Sequence, residues 1–326
     1  MISTKMMNTT MLMAIVAVAI STTVARTQVL ALATTNPGGV SHSIGSAIAK
    51  TVTETSGIKL VVVPAGGAPM AAVAGGEAEC GINVGFDLVY YVTGRKYYLE
   101  TGPHRSLQLV GAVLPSMAAM YVRNDSDVKS VGDLKGQRIP GRFNAQPAIG
   151  VMYDTYLDVA GLTRDDVRTV LAQSIVQAAD DFGNGRNDAF LFSVGTAKVL
   201  EVDNSVGGIR AISMQDTPES RAILDRNMPG AYLTQLQPSE KLRQVIKPTN
   251  VPTTDLVLFC NESVSSDVVY KIARAMFENK ALLADFKTMQ VSWPNYMPLE
   301  LPEVTMHPGA IRYFQTVGRW PPKPRK

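Results

Sequence analysis

The stretch ALATTNPGGVSHSIGSAIAKTV, residues 31–52, runs from an apolar segment through a glycine pair into a segment rich in alanine and other small residues. The stretch VVVPAGGAPMAAVAGGEA, residues 61–78, repeats the same order of segments shortly afterwards. An apolar strand-like run, a tight turn and a helix-like run are the parts of a βα unit. The chain therefore opens with two βα units in tandem.

The alternation of strand-like and helix-like segments continues through the chain. CGINVG (80–85) and LQLVGAVL (107–114) indicate strands on either side of the helical DLVYYVTG (87–94). This order predicts a parallel sheet with helices on both faces. A polar, turn-rich run over 118–141 then leads into a second α/β unit, with QRIPG, VRTVLA and DAFLFS as its strands.

A long strand is predicted near the end of the second unit. VPTTDLVLFC, residues 251–260, has the composition of a buried strand, and we expect it to return toward the first unit. The helical segment after it repeats apolar residues at helical spacing, which predicts that these residues lie in the core. They are Val268, Ile272, Ala275 and Met276.

The N-terminus has the layout of a secretory signal. Lys5 precedes the uncharged apolar run MLMAIVAVAI, residues 11–20, and STTVA then ends in the small residue Ala25. Ten apolar residues are too few to span a bilayer, which takes about twenty. We therefore expect residues 1–25 to be removed. No cysteine lies near the cut, so we expect an exported, soluble, periplasmic protein without a lipid anchor.

Composition and sequence motifs restrict the classes of function that this protein can have. The net charge of +3 over 326 residues and the lack of a basic stripe with interleaved aromatic residues argue against nucleic acid as a partner. The chain has three histidines and none of the sequence motifs of metalloproteases, serine hydrolases or dithiol redox sites. We therefore predict a binding protein rather than an enzyme, with no cofactor and no metal.

The two glycine pairs suggest an anion site. In a parallel βα arrangement each helix begins at the carboxyl edge of the sheet with unpaired N–H groups and about half a positive charge. Glycines at Gly38, Gly39, Gly66 and Gly67 would let a carboxylate or phosphate approach that backbone. The alternative is that they only serve tight turns. A nucleotide-binding loop is excluded, because Ala49 stands where that loop needs a glycine before its lysine.

Several motifs together resemble one family. NPGGVSHSIGSAIA, PAGGAPM, GEAECGI, VKSVGDLKGQRI, DAFLF, VYKIARAMFEN and HPGAIRYF occur in the order found in the TAXI family of solute-binding proteins that serve TRAP transporters. The resemblance implies a type II periplasmic-binding-protein fold, in which two α/β lobes surround a ligand cleft and two chain crossings form the hinge. It also implies delivery of a small organic anion, a carboxylate or an acidic amino acid, to a membrane permease.

The resemblance implies the lobe boundaries and the positions that line the cleft. The first lobe is expected over 26–122 and 251–326, and the second over 123–250. The candidate ligand-binding residues are Asn36, Gly39, Val40, Ser41, His42, Gly66, Gly67, Phe86, Arg142, Asn144, Gln146, Phe192 and Ser193.

Three segments differ from the family pattern, so the ligand itself is not carried over. Ser41 and His42 replace a tyrosine pair, VGFD (84–87) replaces an amide-Ser-Asp run, and GRFNAQPA (141–148) replaces a small-residue loop.

Each candidate has a structural alternative. Ser41 could donate to a ligand oxygen or cap its helix, and His42 could contact ligand or be structural. Arg142, with Asn144, could bind a carboxylate in bidentate fashion or be a solvated surface residue. The aromatic residues Phe86, Phe143 and Phe192 could form pocket walls or core. Asp87 would repel an anion, so we expect it to cap the following helix.

Cys80 and Cys260 are the two cysteines of the chain. If the returning strand lies antiparallel beside the third strand, as the resembled fold implies, these two residues meet and form a disulfide in an oxidising compartment. Two buried thiols are the alternative. The rivals to a transport role are a ligand-binding subunit of a sensory system and, less strongly, a secreted enzyme.

Overall fold

A computed structural model describes residues 28–37, 39–66, 68–144, 146–284 and 296–323. Residues 1–27, which include the predicted signal segment, lie outside the described residues, as do Gly38 and Gly67. Within the described ranges no helix combines the length and the apolar character needed to cross a bilayer.

The first lobe begins with three parallel strands in the order β2-β1-β3, each followed by a helix. The strands are β1 (Gln28–Thr34), β2 (Ile58–Pro64) and β3 (Cys80–Val84), and the helices are α1 (Val40–Ser56), α2 (Pro69–Ala74) and α3 (Gly85–Thr93). The tandem βα units predicted from the two glycine turns are therefore confirmed. α1 ends where Gly57 adopts a left-handed conformation.

Two long strands connect the lobes. β4 (Leu107–Arg123) and β10 (Thr249–Asn261) are antiparallel and hydrogen-bonded to each other. β10 pairs with β3 at its C-terminal end and with β9 (Tyr232–Leu236) at its N-terminal end. β4 pairs with β10 up to Met117, and from Ala118 onward with β7 (Ala189–Ser193) and β8 (Ile209–Ile212). Both strands therefore contribute to both lobes.

The second lobe is a similar α/β unit. Its strands are β5 (Arg138–Gly141), β6 (Arg168–Leu171), β7 (Ala189–Ser193), β8 (Ile209–Ile212) and β9 (Tyr232–Leu236). Its helices are α4 (Pro147–Val159), α5 (Ile175–Gly183), α6 (Ala197–Ser205) and α7 (Pro218–Asn227). After β10 the chain adds α8 (Ser266–Glu278), α9 (Lys280–Ala284) and α10 (Pro308–Thr316).

Two details of the predicted secondary structure are wrong. The predicted turn-rich run from residue 118 is strand through Arg123, because its alternate side chains enter two different cores. Met120 packs in the core that holds Tyr156 of α4, and Tyr121 packs in the core that holds Phe182 of α5. The sheet is also mixed rather than parallel, since β10 runs antiparallel to both of its neighbours in the first lobe.

The core positions predicted in the helix after β10 are confirmed. Val268, Ile272, Ala275 and Met276 are all buried in the first-lobe core. β10 brings Cys80 and Cys260 directly opposite each other in register, and they form a disulfide. The mixed α/β architecture with two lobes agrees with the predicted fold class, whereas the residue boundaries of the lobes stay a prediction.

The HPGAIRYF segment has a structural role. His307 caps α10, because its Nδ1 accepts a hydrogen bond from the Gly309 N–H at 3.2 Å, while its Nε2 lies 3.0 Å from the Val264 carbonyl oxygen. A Cβ on Gly309 would lie 2.3 Å from the Ser266 carbonyl oxygen. The motif therefore seats α10 against α8.

Candidate functional site

The carboxyl ends of β1, β2 and β3 in the first lobe and of β7 and β8 in the second lobe point toward the junction between the lobes. β3 ends at Val84, opposite Leu256, where β10 has just entered the first lobe. β7 ends at Ser193, opposite Ala118, where β4 has just entered the second lobe. Ligands of open α/β sheets bind outside the carboxyl ends of the strands. The gap between these two edges is therefore the candidate site.

The two glycine turns are neighbours at the first-lobe edge. Thr34 and Pro64, the last residues of β1 and β2, are register partners, and the Ala65 N–H donates to the Thr34 carbonyl at 2.8 Å. A Cβ on Gly39 would lie 2.7 Å from Thr35 Oγ1, and Gly66 has a φ of 61°, so both positions favour glycine.

The first turn of α1 is the stronger of the two helix starts. Gly39 is its N-cap and supplies no side-chain hydrogen bond, so the helix N–H groups and the positive end of the dipole remain available. α2 has only six residues and starts with Pro69, which lacks an N–H. The second glycine turn therefore adds less positive potential than the tandem motif predicts.

Ser41 holds the loop before α1. Its buried hydroxyl accepts from the Thr35 N–H at 3.0 Å and lies 2.9 Å from Thr35 Oγ1. It does not cap α1, which was one of its two predicted roles. Asn36, also a candidate, has an exposed side chain, and its carbonyl accepts from the Gly39 N–H at 3.1 Å.

His42 has a defined orientation. Its Nδ1 lies 3.1 Å from Thr34 Oγ1, and the Thr34 hydroxyl donates to the Thr35 carbonyl at 3.0 Å. A hydroxyl has one proton, so both bonds form together only when His42 Nδ1 carries a proton and donates it. Nε2 is then the ring atom left for a ligand, and the half-buried ring lies beside the first turn of α1.

The segment after β3 packs against the second lobe and does not line an open pocket. Phe86 is 1% exposed and belongs to the core formed mainly by the second lobe. Tyr90 of α3 donates to the Asn227 carbonyl at the end of α7. Phe86 is therefore a core residue, which was one of the two alternatives predicted for it.

Asp87 does not cap α3, contrary to the prediction. Its buried carboxylate accepts from Asn83 Nδ2 at 3.0 Å and from the Tyr97 hydroxyl, with the Tyr98 hydroxyl 3.5 Å away. Burial raises the pKa of Asp87 to about 6, although these hydrogen bonds oppose the shift. The carboxylate faces this polar cluster, where it cannot satisfy the N–H groups of its own helix.

Arg142 is the prominent cation of the second-lobe edge. It follows β5 directly, adopts a left-handed backbone with a φ of 58°, and is exposed. Among the described residues its guanidinium has no hydrogen bond or ion pair. Asn144, two residues later, is also exposed. A non-glycine residue in this backbone region is uncommon and often marks a functional loop.

The other second-lobe candidates are held within the protein. Gln146 Oε1 accepts from the Ile175 N–H at 3.0 Å, which ties the start of α4 to the start of α5. Phe143 is buried and stacks on Tyr153 with ring centroids 5.3 Å apart. Phe192 lies in the core behind β7, while Ser193 is partly exposed at the edge.

The structure thus brings one group of candidates to the two facing edges and buries another. Gly39, Val40, Ser41, His42, Gly66, Arg142, Asn144 and Ser193 lie at the edges, whereas Phe86, Phe143 and Phe192 lie in cores. The sequence analysis did not identify Thr34, which orients His42. Its position at the end of a strand, directly before the glycine turn, could have indicated a place at the site.

A separate cavity of about 290 Å³ contains none of the candidates. It lies between Lys96 and the outer side of α4, where Asp154 is paired with Arg164 at 2.5 Å. In the described part of the chain no cluster of His, Cys, Asp or Glu is suited to hold a metal ion.

The comparisons with known proteins agree with this architecture. The model of the NMT1-like family matches residues 32–318. A TctC solute-binding protein from Polaromonas is similar in fold, with a TM-score of 0.53, 16% identity and coverage of 81% of this chain and 90% of that chain. A structure described as a periplasmic transporter has a TM-score of 0.54, 15% identity and coverage of 83% and 89%.

The periplasmic aliphatic sulphonate-binding protein SsuA from Escherichia coli matches with a TM-score of 0.48, 18% identity and coverage of 81% and 75%. At these identities the TctC protein and the periplasmic transporter show the fold, which is that of periplasmic solute-binding proteins.

Proposed function

This chain belongs to the NMT1-like family, and on that premise we propose that it is an exported solute-binding protein that captures a small organic anion by closure of its two lobes. The proposal rests on one observation: the two edges that face each other across the junction both carry groups that favour an anion. One edge offers the uncapped first turn of α1, and the other offers Arg142, an exposed cation without a partner among the described residues.

The charge of the solute follows from these groups. Unpaired helix N–H groups and a guanidinium both donate hydrogen bonds and both favour negative charge. A small carboxylate bearing a second polar group suits the pair, because one end can meet α1 and the other Arg142. Asp87 does not oppose this choice, since its carboxylate is enclosed by Asn83 and Tyr97.

Closure uses the two strands that cross the junction. The solute first binds the first-lobe edge, and the second lobe then rotates about β4 and β10 until Arg142 reaches the bound anion. Binding therefore shifts the population toward a closed form. Residues 26–122 and 251–326 would form the first lobe and 123–250 the second.

The transport partner is a membrane permease that recognises the closed form. The TAXI-like motifs favour a permease of the TRAP type, and the signal-like N-terminus favours the periplasm as the location. The protein would act there without a cofactor, after removal of residues 1–25.

The test is a thermal-shift screen of the mature chain with dicarboxylates, acidic and neutral amino acids and alkyl sulfonates, followed by calorimetry of each hit. We expect selective stabilisation by one anionic class, because a solute that binds only the folded state raises the melting temperature. Stabilisation by cations alone, or chemical turnover of a hit, would overturn the proposal.

A further inference from the structure

Two hydroxyl residues are paired on the strands that cross between the lobes. Thr254 of β10 and Ser116 of β4 are register partners, so their side chains lie on the same face of the sheet. Leu256 shares that face with Thr254, and its partner is Val84 at the end of β3. Along β4 the face continues to Ala118, whose partner is Ser193. We refer to this face as the front face.

Both helices that begin at the candidate site pack on the front face. A Cβ on Gly45 of α1 would meet the side chains of Thr34 and Ile82, and Ile82 lies two residues before Val84 on β3. In the second lobe, α4 packs in the same core as Ala118 and Met120. Thr254 and Ser116 therefore lie between the starts of α1 and α4.

α3 also packs at the junction. A Cβ on Gly85 of α3 would lie 3.3 Å from both the Asp255 carbonyl oxygen and the Leu301 side chain. Phe86 and Tyr90 of α3 lie in the same core as Ala118, and Tyr90 also donates to the Asn227 carbonyl of the second lobe. α3 therefore joins the two lobes beside the front face.

The hydroxyl of Thr254 is buried and has no hydrogen-bond partner among the described residues. The residue is 3% exposed. A buried polar atom without a partner destabilises the folded state, so such atoms call for an explanation. The neighbouring Thr253, on the other face, donates its hydroxyl to Thr234 Oγ1 at 2.7 Å.

We propose that the Thr254 hydroxyl, with Ser116 beside it, is the floor of the solute site and hydrogen-bonds a polar atom of the bound anion. The inference rests on the proposed binding function. The solute would then be contacted by β4 and β10 as well as by the two edges, and this additional contact would contribute to specificity. A solute with a hydroxyl, amino or second carboxylate group between its ends is favoured over one with an apolar chain.

The first test is thiol labelling, which needs no knowledge of the solute. Cys80 and Cys260 are disulfide-bonded and no other cysteine exists, so Thr254→Cys introduces a single thiol. We expect the anionic reagent 2-sulfonatoethyl methanethiosulfonate to label it at least about tenfold faster than Thr253→Cys, the matched control on the opposite face, where Thr253 is bonded to Thr234. Equal or slower labelling of Thr254→Cys would overturn the inference.

The second test measures affinity for succinate, L-malate and L-glutamate. Thr254→Val removes the hydroxyl at nearly constant volume, and we expect at least about fivefold weaker binding with an unchanged or higher melting temperature of the solute-free protein. Thr253→Val should lower the melting temperature and leave affinity unchanged. If the wild-type protein binds one of these anions and Thr254→Val binds it equally well, the proposed contact of Thr254 is refuted while the binding function stands. If the wild-type protein binds none of the screened anions, the binding function fails, and the proposed contact of Thr254 with a bound anion fails with it.

Discussion

The two edges that face each other across the junction hold their polar side chains in different ways. At the first-lobe edge, Thr35 bonds to Ser41 and Thr34 lies within hydrogen-bond distance of His42, so these side chains are oriented before any solute arrives. At the second-lobe edge, Arg142 is exposed on a left-handed backbone with no partner among the described residues.

From this difference we infer the order in which the two lobes contact the solute. A preorganised edge binds with little loss of side-chain entropy, whereas a long free side chain loses entropy when it is immobilised. The first edge is therefore suited to capture, and the second to closure over a solute already bound. Three perturbations test this comparison.

The largest expected effect is on the rigidity of the first lobe. The Cys80–Cys260 disulfide closes a sequence separation of 180 residues and joins β3 to β10. Its loss should lower the free energy of unfolding by on the order of 3–5 kcal/mol, because the unfolded chain gains entropy. Chemical denaturation with and without reductant measures this. The double variant Cys80→Ala, Cys260→Ala is the control and should not respond to reductant. Equal stability of the reduced and oxidised wild-type protein would contradict the assignment of the first lobe as the rigid partner.

A smaller effect is expected at Asp87, which lies in α3 at the junction. Its folded pKa of about 6 exceeds the ordinary value of 3.8, so the folded protein retains a proton that the unfolded chain releases between these values. The free energy of unfolding should therefore fall as the pH rises through this window, by at most about 3 kcal/mol from this group. Asp87→Asn should remove that contribution.

Urea midpoints between about pH 4 and pH 7 measure the slope for the wild type and Asp87→Asn. Asp133 provides a control of opposite sign, because hydrogen bonds from the backbone N–H of Lys129 and from Ser130 lower its pKa. Asp133→Asn should remove stability that is present at neutral pH and lost on acidification. Identical slopes in the wild type and Asp87→Asn would show that α3 does not hold a buried titrating group.

The smallest effect in free energy is expected at Arg142. Arg142→Ala should weaken binding of an anionic solute by at least about tenfold, near 1.4 kcal/mol. Arg142→Gly should lose the same affinity but melt higher than Arg142→Ala, because glycine accepts the left-handed backbone without strain. Calorimetry and thermal denaturation measure both. Unchanged affinity would remove Arg142 from the site and leave the second edge without its closing group.

Much of the fold followed from local patterns. The glycine turns, the alternation of apolar runs and the spacing of Val268, Ile272 and Met276 are local signals, and the elements they predict are present. The strand character of residues 118–123 was not predicted, because it depends on two cores that form on opposite sides of β4.

The candidate site was less predictable than the fold. Ser41, His42 and Arg142 lie at the expected edges, since a residue that follows a parallel strand lies at the carboxyl end of the sheet. Phe86 and Asp87 also follow a strand, yet α3 packs against the second lobe and buries them.

The sequence by itself determined the βα units, their glycine turns and the residues at the strand ends, because each depends on interactions among near neighbours in the chain. Tertiary structure alone decided the pairing of Thr254 with Ser116 and the packing of α3 against the second lobe. These depend on strand register and on helix packing between segments more than a hundred residues apart, and such contacts leave no periodic signal in a single sequence.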